Sequence, residues 1–139
     1  MRLVVDANII FSAILKNGLT RKLLLDDRLT LYAPFFLKEE IIKYKRYLSR
    51  KRKITESEFL QVIEGLLVLA NIEFVDLRKL NSYINVARRI SPDPKDALYV
   101  ALAIFEACPI WSNDKSLRET QDLVQVISTT EIYKTIQSL

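Results

Sequence analysis

The 139-residue chain has no histidine, which excludes Ser-His-Asp and Cys-His catalysis and any zinc site built on imidazole. Its one cysteine, Cys108, excludes an internal disulfide and every multi-cysteine metal cluster. Only two glycines occur, Gly18 and Gly65, too few for a phosphate-cradling loop of the P-loop or dinucleotide type. No run of about 18 apolar residues exists, so no segment reads as a membrane-spanning helix and no membrane partner is expected. The opening MRLVVDANII carries an acid at its sixth residue and no cleavage-site pattern; this reads against a signal peptide and makes the cytoplasm the expected compartment. Carboxylates, hydroxyls, amides and cations remain for chemistry.

Apolar residues make up 50% of the chain and charged residues 27%, a globular composition. A chain of this length can bury roughly 65–70% of its unfolded surface, so residues 1–139 are expected to form a single domain. The net charge of +4 is unevenly spread. Residues 43–53, KYKRYLSRKRK, hold seven basic side chains and no acid, while the other 128 residues carry a net charge of −3. A local basic patch suits a polyanion such as nucleic acid. Lys43, Lys45, Arg46, Arg50, Lys51, Arg52 and Lys53 are therefore candidate contacts to RNA phosphates. Tyr47 is the candidate for stacking on a base, because Tyr44 also fits the apolar stripe of its helix. The plainer reading of the same stretch is a solvated helix end and loop.

Short apolar segments at 2–5, 30–33, 72–75, 109–112 and 123–127 read as strands. Between them lie helical patterns. One begins at Asn8, and a long one runs from Phe35 to Leu48 with Leu37, Ile41, Tyr44 and Leu48 on one stripe. A third opens on the capping-box sequence Thr55-Glu56-Ser57-Glu58, and a fourth spans about 80–89. Asp93-Pro94 looks like an N-cap followed by proline at the first helical position, opening a helix that is apolar nearly all round. Thr129 or Thr130 is the expected cap of a last helix. Cys108 and Trp111 read as core residues. Apolar strands alternating with helices argue an α/β fold with a parallel sheet covered on both faces.

In such sheets, sites form beyond the carboxyl ends of the strands. Leu3-Val4-Val5 runs directly into Asp6, and Ile110-Trp111-Ser112-Asn113 runs into Asp114. Asp96 falls in the first turn of its helix, and Glu39 and Glu40 in the first turns of the helix after strand two. Each acid has a plainer role as a cap, a dipole partner or a solvated charge. Asp6 is the exception, since an unpaired carboxylate on a buried strand end is costly. Clustered at one sheet edge, these acids would repel one another unless a cation neutralised them, and hard oxygen ligands without imidazole or thiolate suit Mg²⁺ or Mn²⁺.

The ordered set of motifs resembles the PIN-domain nucleases, which include the VapC-type toxins of toxin–antitoxin pairs. Val5-Asp6-Ala7-Asn8 resembles their opening, and Pro34 followed by Glu40 resembles the second acidic position. Asp93-Pro94-Lys95-Asp96-Ala97-Leu98 resembles the third, and Trp111-Ser112-Asn113-Asp114-Lys115 the fourth. The resemblance spans nearly the whole chain. It implies a PIN-like three-layer α/β/α sandwich with a central parallel sheet of about five strands, and metal-dependent hydrolysis of RNA leaving a 5′-phosphate and a 3′-hydroxyl. It further implies an RNA substrate, with an antitoxin protein and a second copy of the chain as partners. Carried over by position, Asp6, Glu40, Asp96 and Asp114 are the catalytic carboxylates. Asp6, Asp96 and Asp114 make the metal contacts, Asn8 orients the first aspartate and Ser112 hydrogen-bonds the site. Glu40 is preferred to Glu39 because it stands six residues after Pro34, as in family members. Many members carry a further acid two residues after the fourth aspartate, where this chain has Ser116.

Two rival readings are set against the nuclease. A haloacid-dehalogenase-type phosphatase needs a second aspartate two residues after the first, where this chain has Asn8. A non-catalytic RNA- or protein-binding module on the same fold would have no use for four clustered acids.

Overall fold

The computed structural model of the protein describes residues 1–91 and 93–139. Five strands form one sheet in the order β3-β2-β1-β4-β5: β1 (Arg2–Val5), β2 (Thr30–Pro34), β3 (Ile72–Val75), β4 (Ile110–Trp111) and β5 (Val126–Ile127). Every pairing is parallel, with Val4 opposite both Tyr32 on β2 and Ile110 on β4. Parallel strands require crossover connections, and the intervening segments supply them as helices. They are α1 (Ala7–Leu15), α2 (Leu19–Leu24), α3 (Phe36–Lys43), α4 (Lys45–Arg52), α5 (Glu56–Leu69), α6 (Asn81–Ile90), α7 (Pro94–Glu106), α8 (Lys115–Thr120) and α9 (Thr129–Gln137). The result is a three-layer α/β/α sandwich, as the sequence led us to expect.

Leu3, Val4 and Val5 of β1 are wholly buried, as the central strand of a covered sheet requires. Helix α7 lies across β1, β2 and β4, which explains why Ala97, Val100, Ala101, Leu102 and Ala103 are buried on several of its sides. Asp93 caps α7 by accepting the Lys95 N–H at 2.9 Å, with Pro94 at its first position. Thr55 caps α5 in the same way, accepting the Glu58 N–H at 3.0 Å. Trp111 is buried and donates its indole N–H to Thr129 Oγ1 at 3.0 Å. Cys108 is half-buried against the core. Among the described residues, no helix is long and apolar enough to cross a membrane.

Several boundaries differ from the sequence reading; the fourth strand, expected over 109–112, is confined to Ile110–Trp111. The helix expected over Phe35–Leu48 breaks at Tyr44, where the backbone leaves the helical region and the ring packs edge-on against Phe11 of α1. The chain resumes as α4 and buries Leu48 and Ser49. The fifth strand, expected over 123–127, is confined to Val126–Ile127. The buried Gln121 side chain bonds both the N–H and the carbonyl of Val124, at 2.9 and 2.8 Å, and holds that stretch in a turn. The last helix is capped by Ser128, which accepts the Glu131 N–H at 3.2 Å; Thr129 instead turns its hydroxyl inward to Trp111 and Asn113.

Candidate functional site

The strand order reverses direction at β1, with β2 on one side and β4 on the other. Such a switch point leaves a crevice beyond the carboxyl ends of the two flanking strands. Here the β1 end carries Asp6, and the β4 end carries Ser112 and Asp114. A cleft of about 480 Å³ opens there, walled by Asp6, Asn8 and Phe11 from the start of α1 and by Glu40 from α3. Tyr44, Tyr47 and Leu48, together with Asp93, Lys95, Asp96 and Tyr99 of α7 and its cap, form the other walls; Asp114 and Ser116 close it. All four acids expected from the sequence thus face one space, joined by Asp93. Glu39, the alternative to Glu40, is exposed outside it, whereas Glu40 is only 7% exposed.

Ser112 connects two of these acids. Its hydroxyl donates to Asp6 Oδ2 at 2.7 Å and accepts the Asp114 N–H at 3.0 Å. Asn8 contributes its backbone N–H to the surroundings of the Asp6 carboxylate, while its side chain is exposed at the cleft. Asp114 is also the N-cap of α8, accepting the Ser116 N–H at 2.9 Å. The cap role and the cleft position therefore coexist.

The electrostatics of the cleft are strained. Burial pushes the Asp6 carboxyl above its usual range; the Ser112 and Asn8 hydrogen bonds oppose that shift, and the Asp114 charge adds to it. Asp96 is pushed up to about 6, first by burial and then by the charges of Asp93, Asp6 and Asp114. Tyr99 is raised well above a normal phenol by burial and by Asp6 and Glu40. Burial and mutual repulsion both penalise these charges, a cost that a cation would relieve, and an all-carboxylate donor set matches the preference of hard divalent ions. Among the described residues, no three such groups stand close enough together to share one ion.

The basic stretch adjoins this cleft. Tyr47 is 58% exposed and also lines the cleft, which puts α4 beside the acids. Lys43, Arg46, Arg50, Lys51 and Lys53 are exposed and Lys45 is half-buried. Arg46 lies 3.5 Å from Glu56, and Lys51 Nζ donates to Tyr47 Oη at 3.2 Å. Arg52 is committed to the fold, donating to the Ile14 carbonyl at 2.7 Å.

The sequence reading gave no role to Lys95 or Tyr99. Lys95 Nζ lies 3.0 Å from Glu40 Oε1, and among the described residues the buried Tyr99 hydroxyl has no well-formed hydrogen bond. The helical register held the signal: Lys95 precedes Asp96 by one residue in the first turn of α7, and Tyr99 follows Asp96 by three, which places it one turn further on.

Among solved structures, the chain resembles the crystal structure of VapBC2 from Rickettsia felis bound to a DNA fragment from their promoter. The TM-score is 0.67 at 17% identity, over 92% of this chain and 98% of that one. No match was found among curated proteins. The family model of the PIN domain matches residues 4–133, a span that runs from Val4 in β1 to Tyr133 in α9 and includes every acid of the cleft. With that match, the chain belongs to the PIN-domain family.

Proposed function

We propose that this protein is a Mg²⁺- or Mn²⁺-dependent endoribonuclease and the toxin of a toxin–antitoxin pair. The observation that carries the reading is the set of mutually repelling carboxylates, delivered by β1, α7 and the turn after β4 to one cleft at the switch point of the sheet. Asp6, Asp96 and Asp114 are the residues that would hold the metal, drawing closer around it than they stand in the structure, where no three acids among the described residues are near enough to share one ion. When bound, such an ion activates water and screens phosphate charge. The chain does the rest. Ser112 fixes the rotamer of Asp6 and the start of the Asp114 loop through one hydroxyl. Phe11, Tyr44 and Leu48 give the cleft an apolar wall. The cations of α4 lead a phosphate backbone toward the acids, and Tyr47 at the junction offers a ring face for a base. With no histidine in the chain and no cysteine in the cleft, water is the attacking group, and the products that the family resemblance implies are a 5′-phosphate and a 3′-hydroxyl. The likeness to a VapBC2 structure supports an antitoxin protein as partner.

The test is cleavage of single-stranded and structured RNA by the purified chain with Mn²⁺ or Mg²⁺, with Asp6→Asn prepared alongside to expose contaminating nucleases. Cleavage that stops in EDTA and is absent from the variant supports the reading. Cleavage that persists in EDTA, or equally in the variant, overturns it.

A further inference from the structure

The carboxylates of the cleft are not equivalent. Asp96 feels Asp93, Asp6 and Asp114, and none of these four has a protein cation against its carboxylate among the described residues. Glu40 stands apart. Its carboxylate is buried, and Lys95 Nζ reaches to 3.0 Å from Oε1, within ion-pair distance but without the angles of a well-formed hydrogen bond. Lys95 is also the one cationic side chain among the described residues lining the cleft, against five acids. A lysine is a compact charge on a long stem that costs rotamer entropy to hold still. A buried anion at its tip removes that freedom, while the ammonium, with its side chain 47% exposed, stays open to the cleft. The residual donors of that ammonium point to the chemistry that a phosphodiester brings into an acidic cleft.

Resting on the nuclease reading, we infer that Lys95 binds a phosphate of the RNA at the site, and that Glu40 is its positioning residue, outside the metal-binding set of Asp6, Asp96 and Asp114. Glu40 belongs to the site because it anchors the lysine that takes the substrate's phosphate.

The experiment separates metal from RNA. Mn²⁺ binding is followed by titration calorimetry without RNA, and binding of a fluorescein-labelled RNA by anisotropy in EDTA, where no cleavage occurs. Parent, Asp6→Asn, Glu40→Gln, Lys95→Met, Lys95→Arg and the double variant Glu40→Gln/Lys95→Met are compared. Lys95→Met should weaken RNA binding and lower its log–log salt slope by about 0.7, the value for one phosphate contact on a single strand. Glu40→Gln should do the same, while its Mn²⁺ affinity changes by less than the roughly tenfold at which even outer-shell partners of a metal register. Lys95→Arg should keep the parent slope. Asp6→Asn should lose Mn²⁺ affinity and keep RNA binding. Lys95→Met leaves a buried anion unpaired, so the double variant, neutral at both positions, supplies the folded control. Loss of Mn²⁺ affinity in Glu40→Gln to the level of Asp6→Asn overturns the assignment, as does a parent salt slope in the double variant. A parent chain that neither binds Mn²⁺ nor cleaves RNA overturns the nuclease reading itself; an active parent with a metal-deficient Glu40→Gln overturns this inference alone.

Discussion

Ser112 holds the Asp6 carboxylate from the neighbouring strand, its hydroxyl donating to Oδ2 at 2.7 Å. Because the same oxygen accepts the Asp114 N–H at 3.0 Å, one small side chain ties together the ends of β1 and β4. Ser112→Ala would strip a hydrogen bond from a half-buried carboxylate and leave an amide unpaired. Urea unfolding should show a loss of about 1–3 kcal/mol. The Asp6 carboxyl, already raised by burial, should rise further without its donor, so RNA cleavage should fall more steeply at pH 6 than at pH 8. Parent stability with a parent pH profile would show that Ser112 only fills space.

Asp96 gives a pH test with a definite sign. Its carboxyl is raised to about 6 in the folded protein, above its ordinary value of 3.8. Between those two values the folded state holds the proton more tightly than the unfolded chain. This contribution to stability is therefore full at low pH and lost as pH rises through about 6. Asp96→Asn mimics the protonated form at every pH. In EDTA its Tm should match the parent near pH 4 and exceed it at pH 7.5, while cleavage with Mn²⁺ falls by orders of magnitude. A variant that melts below the parent at neutral pH and still cuts RNA would assign Asp96 to the helix dipole alone.

The parts of this architecture that were legible in the sequence are those where local and global signals agree. The strand-then-acid pattern at Asp6, the Asp93-Pro94 cap and the capping box at Thr55 each rest on residues close together in the chain, and each stands as expected. The break at Tyr44 was hidden because the stripe Leu37, Ile41, Tyr44, Leu48 is a valid helical face; what divides it is a contact with Phe11, 33 residues earlier. The turn that shortens β5 depends on Gln121 folding back on Val124, which alternation of apolar residues does not report. The acids were found by their places at strand and helix ends. The pairing of Glu40 with Lys95 joins α3 to α7 and is a product of the tertiary fold.

Ala107 offers a gain in stability outside the site. It ends α7 with φ 53°, in the left-handed region that costs an L-residue energy and that glycine occupies freely. Ala107→Gly should raise stability by about 0.5–1 kcal/mol, the left-handed penalty less the extra entropy glycine loses on folding. Since Ala107 lies at the end of α7 remote from Asp96, cleavage should be unchanged. A lower Tm would show that the left-handed cap is no burden here.

The basic stretch divides into two jobs that variants can separate. Arg52 donates to the Ile14 carbonyl at 2.7 Å, beside Arg21, which donates to the Ala13 and Ile14 carbonyls at 2.7 and 3.0 Å. Together they satisfy carbonyls in the last turn of α1, which has no basic residue of its own there. Arg52→Ala should therefore cost roughly 1 kcal/mol of stability. Arg50, Lys51 and Lys53 are exposed, and alanine at all three should leave stability within about 0.5 kcal/mol of the parent. Their loss should instead weaken RNA binding and reduce the log–log salt slope by about 0.7 for each phosphate contact removed. Tyr47→Ala should weaken binding without moving the slope, because stacking releases no counterions. Anisotropy titrations across a salt series, run beside thermal melts of the same proteins, give both readouts. A triple variant with the parent slope would make the stretch a solvated helix and nothing more, and would move the search for the RNA path to the far side of the cleft.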